Sequence, residues 1–395
     1  MRNYKIMTHY LVLAVFFINL IACTGQEHNT RNGEPALPVI KVNTEDSIKN
    51  YKEIISGTPE LIPLETSENS IIGTIDKLIH YNNKYFILDT RKTKAVFCFD
   101  SEGKLLFKIN RVGNGVGEFI MPFDFDIAPE EKLLKVIDIN QGKMINFSLD
   151  GTFVNEEKLP SSTQLMSFCI IDKHHYAFHK DGRDYGQGLT NFIKVYNKTQ
   201  NTFINEGVYD IGNTDTYKIF NEFAKYNDHI SFVHAWTDTI YHISKSEIQP
   251  AYTIDFGKGK ITQKIKTMDL PKMGNFFLKN RYVFHTGQIT ENKDFISFQW
   301  VKSDEGFEKT GEGSFTTYFI KKGAQVLNIS QNKNWIAGTS IKGPLNIANE
   351  YFIGYLEAGE ISNTNKGKSI FTDLNLNENS NPVLIRYKIK LNNVQ

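Results

Sequence analysis

The sequence predicts an all-β fold, a six-bladed β-propeller built from four-stranded antiparallel blades. A unit of apolar strand, short polar turn and second strand occurs six times, and a further β-rich run precedes each copy. Aromatic and β-branched residues separated by turn residues are typical of strands. Repeats of about 45 residues with four strands each are typical of propeller blades. A helical period is nearly absent, and only Ile261–Leu278 is expected to hold two short helices, around Pro271.

The spacing of the six copies sets the number of blades. In the first two copies Phe99 and Phe147 are 48 residues apart, as are Gly103 and Gly151. The later copies follow at spacings of 49, 47, 76 and 68 residues, with anchors at Tyr196, Ile243, Phe319 and Tyr387. A two-sheet β-sandwich is the alternative all-β fold, but it gives no reason for the near-constant spacing of the first four copies.

The last copy predicts how the ring closes. Val383–Lys390 supplies one strand, and only a few residues follow it. A propeller closes when the other end of the chain completes its last blade. Leu61–Glu65 lies just before the first blade and has the length of a strand. We therefore predict that Leu61–Glu65 pairs with the C-terminal strand, which also hides two sheet edges.

The N-terminal segment has three parts. Arg2 and Lys5 precede an apolar run from Leu11 to Leu20, which is too short to span about 30 Å of hydrocarbon. Leu20-Ile21-Ala22-Cys23 follows and resembles the bacterial lipobox, in which the cysteine is acylated and becomes the mature N-terminus. Cys23 is thus the predicted lipidation site, and two or three acyl chains suffice for stable anchoring. An ordinary signal peptide with a chance cysteine is the alternative.

These features predict three segments and a location. Residues 1–22 form the signal peptide, residues 23–59 the lipidated cysteine and a flexible tether, and residues 60–395 the propeller. One short strand is expected inside the tether, at Pro38–Val42. Thr24 follows the cysteine, and by resemblance to lipoprotein sorting signals this favours the outer membrane. The periplasmic and the surface face both stay open.

Two further cysteines, Cys98 and Cys169, lie in apolar strand-like runs. Two buried free thiols are expected, with a disulfide as the alternative. A C-x-x-C metal or redox motif is absent from the sequence.

Composition excludes several classes of protein. The formal net charge is +1, and removal of Arg2 and Lys5 with the signal changes it to −1. Such a balance argues against a nucleic-acid partner, which normally requires a basic face. The 29 Phe and 18 Tyr supply enough apolar surface to exclude a disordered chain. The chain has a single apolar stretch long enough to engage a bilayer, which excludes a multi-spanning membrane protein.

The connection between the first two blades carries a family resemblance. It runs from Arg111 to Pro122, with glycines at 113, 115 and 117 followed by Glu118 and Phe119. This resembles the G-x-G-P-G-E-[F/Y]-x-x-P connection of NHL-like propellers, with Val116 in place of proline. Together with the lipobox, the chain resembles the six-bladed β-propeller lipoproteins of Bacteroidetes, a family with no settled biochemical role. The resemblance implies a fold and an envelope location, but no chemistry.

Motifs that would indicate catalysis or a bound ion are weak. The same glycines would form a phosphate loop only before a helix, whereas Pro122 opens another strand. His175 and His179 would lie about 13 Å apart on a strand, too far to share one zinc ion. Ser330–Lys333 matches S-x-x-K without the accompanying motifs. The sequence therefore predicts no catalytic residue, no metal ligand and no cofactor.

Three residues are predicted to bind a ligand. Arg111 lies at a blade connection and offers a bidentate donor to a carboxylate or sulfate. Trp236 and Trp300 follow apolar strands and could stack on a sugar or peptide, with ordinary core packing as the alternative. The polar insertions Lys302–Ser314 and Glu357–Asn381 are long enough to be functional or disordered.

The sequence favours a lipid-anchored binding or scaffold protein of the cell envelope. Its partners would be the membrane, through the lipid anchor, and a glycan, a peptide or an envelope protein on one propeller face. The alternative is a propeller hydrolase or lyase, with or without a metal ion that assists it, whose site lies at the channel mouth. That alternative requires Asp89, Asp138 and His234 to converge on a central cavity.

Overall fold

The computed structural model describes residues 37–42, 44, 54–160, 165–180, 190–210, 221–235, 237–261, 282–302, 314–321, 326–330, 339–362 and 374–390. From Pro38 onward these residues form one compact unit. Their strands make six small sheets, five of four strands and one of five. The predicted six-bladed β-propeller is thereby confirmed.

The first half of the chain supplies three blades. Blade I consists of β3 (Lys77–Tyr81), β4 (Lys84–Asp89), β5 (Ala95–Phe99) and β6 (Leu105–Ile109). Blade II consists of β7 (Asp124–Ala128), β8 (Leu133–Asp138), β9 (Lys143–Ser148) and β10 (Phe153–Lys158). Blade III consists of β11 (Leu165–Ile170), β12 (His175–Lys180), β13 (Thr190–Asn197) and β14 (Thr202–Asp210).

The second half supplies the other three blades. Blade IV consists of β1 (Val39–Lys41), β15 (Phe223–Tyr226), β16 (His229–Val233), β17 (Thr239–Ile243) and β18 (Ile248–Asp255). Blade V consists of β19 (Val283–Glu291), β20 (Phe295–Lys302), β21 (Ser314–Lys321) and β22 (Val326–Ser330). Blade VI consists of β2 (Ile55–Pro63), β23 (Lys342–Ala348), β24 (Tyr351–Leu356) and β25 (Val383–Ile389). A 3₁₀ turn (Gly257–Gly259) and a short helix α1 (Ala358–Ser362) complete the described elements.

An apolar cluster fills each of the six interfaces between neighbouring blades. Between blades I and II, for example, Phe86 and Cys98 pack with Phe125 and Val136, and all four are fully buried. Each blade is therefore covered on both faces, which explains why its middle strands are continuous apolar runs. Apart from β1 and β2, which the N-terminal region adds at the outer edge of blades IV and VI, the first strand of each blade (β3, β7, β11, β15, β19 or β23) lies at the centre of the ring, where these strands line a common cavity.

The N-terminal region closes the ring as predicted, with different bounds. Strand β2 pairs antiparallel with β25, placing Leu61 opposite Ile385 and Ile62 opposite Leu384. The predicted strand Leu61–Glu65 instead spans Ile55–Pro63, and its first part passes through a bulge at Gly57. The first part of β2 has no apolar pattern that would predict a strand, because most residues of Ser56–Glu60 lie exposed on an outer strand.

The short strand expected at Pro38–Val42 is present as β1 (Val39–Lys41). It pairs parallel with β18 and extends blade IV to five strands. Residues 39–41 and 55–59, which the sequence analysis assigns to the tether, thus belong to sheets. Ile40 and Val42 are buried in the interface between blades IV and V.

The structure confirms the expectation for the two cysteines, but several other expectations concern residues that it does not describe. Cys98 and Cys169 are buried free thiols, as expected. No helix among the described residues is long and apolar enough to cross a membrane. Residues 262–278, where two helices are expected, lie outside the described residues, as do residues 303–313 and 363–373 of the two polar insertions. The same holds for Cys23, Trp236 and Lys333.

Candidate functional site

The first strands of all six blades line a central cavity of about 240 Å³. Its wall combines charged and polar side chains with aliphatic ones. One or more residues from each blade take part, including Lys77, Asp126, Cys169, Lys225, Glu291 and Asn346.

Two lysine–aspartate ion pairs at this cavity join different blades. Lys77 Nζ lies 2.9 Å from Asp124 Oδ1, and Lys225 Nζ lies 2.6 Å from Asp126 Oδ2. Asp124 and Asp126 are also hydrogen-bonded by the main-chain amides of Phe168 and Ile170 in blade III, at 3.0 and 2.7 Å. Strand β7 of blade II is thereby joined to blades I, III and IV.

The pairing keeps both lysines charged. Burial lowers the pKa of Lys77, but the charges of Asp124 and Asp126 outweigh it, so the pKa of Lys77 is raised. The pKa of Lys225 is raised in the same way, because Asp126 outweighs the effect of burial. Burial raises the pKa of the Cys169 thiol beside them to about 12, so this cysteine is a poor nucleophile.

A second cavity of about 420 Å³, at one mouth of the channel, shares part of its wall with the central cavity. Lys225, Glu291 and Ile347 line both cavities. The mouth cavity is formed by the turns that follow the first strands of blades IV, V and VI, with Tyr226, Asn227, Asn292, Lys293, Asn349 and Glu350. Charges of both signs therefore surround the opening.

A group of two histidines and one glutamate lies next to this mouth. His229, His242 and Glu291 each bring one possible ligand atom to within 4.8 Å of the other two. His229 and His242 belong to blade IV, and Glu291 ends the first strand of blade V. No other group of this kind occurs among the described residues.

Arg111, a predicted ligand-binding residue, lies exposed on the connection between blades I and II. Its guanidinium packs over the Phe153 ring at 5.4 Å from the centroid. Its main-chain carbonyl accepts a hydrogen bond from Phe119, at 2.9 Å. Arg111 lines neither the central nor the mouth cavity.

Trp300 is in the core. Its side chain is 2% exposed and packs in the interface of blades IV and V, against residues such as Ile240 and Phe298. The packing alternative accounts for this position, since a ring buried here has no face left for a ligand. Trp236 lies outside the described residues. Of the other two, Arg111 is exposed between blades I and II and Trp300 is buried between blades IV and V, so these two are not brought together.

Asp89, Asp138 and His234 do not converge. Asp89 accepts hydrogen bonds from the main-chain amides of Gly73, Thr74 and Lys92, and Asp138 accepts from Ile120, Asn140 and Gln141. Both carboxylates fix the chain where it enters a blade. His234 is buried beside His179, with ring centroids 5.2 Å apart. The arrangement required by the enzyme alternative is therefore not formed by these three residues.

The glycine-rich connection is a turn. Glu118 Oε2 accepts the Gly115 amide at 2.8 Å, so a carboxylate of the chain itself occupies the position that a phosphate would take. The next element is strand β7, without an intervening helix. This agrees with the interpretation of the segment as a blade connection.

Sequence reasoning missed the polar residues of the channel. One signal was available: Asp124 and Asp126 are two residues apart in an otherwise apolar strand, so both point to the same face. The grouping of His229, His242 and Glu291 had no such signal, because Glu291 is 49 residues from the nearer histidine and lies in another blade.

Comparison with known proteins identifies relatives in fold. A family model described as a domain of unknown function, DUF4934, matches residues 37–388. No curated protein matches the chain. A crystal structure from Bacteroides fragilis, of a protein described as exported, is similar over 90% of this chain and 100% of its own, with a TM-score of 0.68 and 16% identity. A DUF4221 family member from Bacteroides vulgatus is similar over 86% and 98%, with a TM-score of 0.56 and 12% identity. At these identities the likeness concerns the fold alone.

Proposed function

Since this chain belongs to the DUF4934 family, a domain of unknown function, we propose a function from its own geometry: it is a lipid-anchored cell-envelope protein that binds a peptide segment at the channel mouth. The observation that carries the proposal is the pair of adjoining cavities, central and mouth, which share Lys225, Glu291 and Ile347. A rigid ring surrounds them, and residues of all six blades line the inner one.

The chemistry of the mouth favours a peptide. Lys225 and Lys293 stand beside Glu291 and Glu350, and the amides of Asn227, Asn292 and Asn349 offer both donors and acceptors. A peptide backbone presents both donors and acceptors, and its termini carry both signs of charge. Because the ring is already rigid, ordering it on binding costs little, which favours affinity.

A glycan is supported less well. Sugar rings are commonly bound by exposed aromatic faces. Within the described part of the chain, the large exposed apolar side chains are all aliphatic, for example Val116 and Val154. A protein scaffold role remains compatible with the same mouth, since a loop of an envelope protein is itself a peptide segment.

The envelope location rests on the N-terminal sequence. Arg2, Lys5, the apolar run from Leu11 to Leu20 and Cys23 form the pattern of a lipoprotein signal. The description of the Bacteroides fragilis relative as exported is in keeping with this location. The enzyme alternative is less well supported, because two of the residues that it requires, Asp89 and Asp138, accept hydrogen bonds from main-chain amides.

The experiment uses the full chain in detergent, screened against a library of short peptides and a glycan panel by thermal shift and calorimetry. A peptide that binds the wild type is expected to bind Lys293→Glu about tenfold more weakly, a loss of about 1.4 kcal/mol. Lys104→Glu, which reverses an exposed charge on blade I that lines neither cavity, should bind normally. Binding of glycans alone, or equal binding by Lys293→Glu, would contradict the peptide proposal.

The lipid anchor is tested by fractionating cells that produce the full chain into membrane and soluble fractions. Cys23→Ser should move the protein from the membrane to the soluble fraction, because the acylated residue is lost. The neighbouring Thr24→Ser variant should stay with the membrane. Membrane attachment of Cys23→Ser would refute lipid anchoring at this residue and leave the binding test unaffected.

A further inference from the structure

We propose that His229, His242 and Glu291 form a binding site for a divalent transition-metal ion such as zinc. The site lies between blades IV and V, at the mouth of the channel. Glu291 also lines the mouth cavity, but the test of this site measures metal binding without any peptide, so either proposal can fail while the other stands.

The strand register brings the two histidines to one face of blade IV. His242 on β17 pairs with Ser231 on β16, and Ser231 is two residues beyond His229. In a strand, residues two apart point to the same face, and directly paired residues share that face. His229, Ser231 and His242 therefore all face blade V, where Glu291 ends β19.

The distance between two of the three donor atoms already fits a tetrahedral metal site. His229 Nε2 lies 3.4 Å from Glu291 Oε2, and neighbouring ligand atoms around a tetrahedral zinc lie about 3.4 Å apart. His229 Nε2 is buried and makes no hydrogen bond, despite its closeness to the carboxylate. A shared ion would satisfy this nitrogen, whereas the present contact leaves it unsatisfied.

Surrounding groups orient the ligands. Ser231, fully buried, donates a hydrogen bond to Glu291 Oε2. His229 Nδ1 faces Asp228 Oδ1 at 3.5 Å, so Nε2 is the ring nitrogen left to bind an ion. Hydroxyl and carboxylate groups in such positions are usual partners of metal-ligating residues.

One movement is required for binding. The two imidazoles are stacked, with centroids 3.9 Å apart and an interplanar angle of 27°. A nitrogen lone pair lies in the plane of its ring, so one ring must turn about its outer side-chain bond to share an ion with the other. That torsion is soft in histidine, and both rings are only partly buried, which leaves room for the turn.

The donor set selects the class of ion. Two imidazoles and one carboxylate suit zinc, cobalt, nickel or copper, whereas calcium and magnesium prefer an all-oxygen shell. Three protein ligands leave a fourth position open. Because Glu291 lines both cavities, an ion can enter from the channel mouth.

The test measures metal binding by the tag-free full chain. After removal of metals with a chelator, the protein is dialysed against zinc, and its metal content and affinity are measured. We expect one zinc per chain, unaffected by excess magnesium or calcium. Cobalt added to the metal-free protein should give the strong visible absorption of four-coordinate cobalt, and added zinc should abolish it. His242→Gln and Glu291→Gln should each weaken binding at least about a hundredfold, and Ser231→Ala about tenfold.

Controls separate this site from other histidines and from misfolding. His174→Gln removes an exposed histidine of blade III and should keep wild-type zinc affinity. Circular dichroism and the denaturation midpoint of each variant, taken without metal, verify that it is folded. Failure of the wild type to bind zinc overturns the proposal, and so does unchanged affinity in folded His242→Gln and Glu291→Gln.

Discussion

At the scale of single residues, buried acids of this propeller act on the main chain. Asp89 is fully buried and accepts hydrogen bonds from Gly73, Thr74 and Lys92, at 2.8, 3.2 and 3.0 Å. Thr74 adds its hydroxyl, at 3.2 Å. This side chain holds the segment that enters blade I against the turn that follows β4. Asp89, which the enzyme alternative requires at a central cavity, therefore has a structural role.

Asp89→Asn tests this role. The amide keeps the size of the side chain, but it loses the charge and presents a donor to a group of donors. We expect the free energy of unfolding to fall by about 3 kcal/mol, since hydrogen bonds to a buried charge are among the strong ones. Asp228→Asn, at a side chain 96% exposed, should change it by less than about 0.5 kcal/mol in urea unfolding. Equal effects of the two substitutions would contradict the assigned role.

A buried histidine makes stability depend on pH. His285 is fully buried, and burial lowers its pKa to about 3. Its Nδ1 accepts the Gly287 amide at 2.6 Å, which requires the neutral ring. The unfolded chain binds a proton near pH 6.5, about the ordinary histidine value. As the pH falls from there towards 3, the unfolded state gains a proton that the folded state lacks, so stability is lost.

The corresponding variant is His285→Asn, whose side-chain oxygen can still accept the Gly287 amide. Between about pH 6 and pH 4, His285 should contribute a loss of about 1.4 kcal/mol per pH unit to the wild type. Urea unfolding across this range should therefore show a shallower pH dependence in the variant, whatever its stability at pH 8. If the stability of the wild type and of His285→Asn changed equally with pH, the pKa of His285 would not differ between the folded and unfolded states, and the prediction would be wrong.

At the scale of elements, the repeated turn glycines explain how β2 completes the last blade. Gly103 and Gly151 occupy equivalent turns, with φ of +84° and +86°. A methyl group on Gly151 would meet the Phe107 ring on the outer strand of blade I, and one on Gly103 would lie 2.2 Å from the Pro63 carbonyl on β2. The turns of blades I and II thus each pack on the outer strand of the preceding blade, and β2 is that outer strand in blade VI.

Gly103→Ala is expected to weaken this closure. Gly142 is the matched control, because it also has a positive φ, of +63°, but has no atom within 4 Å of an added methyl group. Gly142→Ala should cost about 1 kcal/mol of backbone strain, and Gly103→Ala at least about 2 kcal/mol more, because Pro63 must move. Urea unfolding of the two variants measures the difference. Similar losses would mean that the contact with Pro63 adds nothing to ring closure.

At the scale of the whole molecule, contacts across the channel supplement those between neighbouring blades. Lys225 of blade IV reaches Asp126 of blade II, past the blade between them. The side-chain amide of Asn221, at the entrance to blade IV, donates to the Asp76 carbonyl before blade I, at 3.5 Å. The paired charges leave the channel polar without a strong field of either sign, in keeping with the near-neutral composition.

The sequence by itself determined the class of fold, the six repeats and the need for an N-terminal closing strand. These follow from local signals, because strand patterning and turn residues act between near neighbours in the chain. The tertiary structure alone decided where side chains from different blades meet. Glu291 joins His229 and His242, and Lys225 joins Asp126, because the ring brings together positions that are tens of residues apart. Trp300 shows the same limit, since its burial depends on residues of the neighbouring blade.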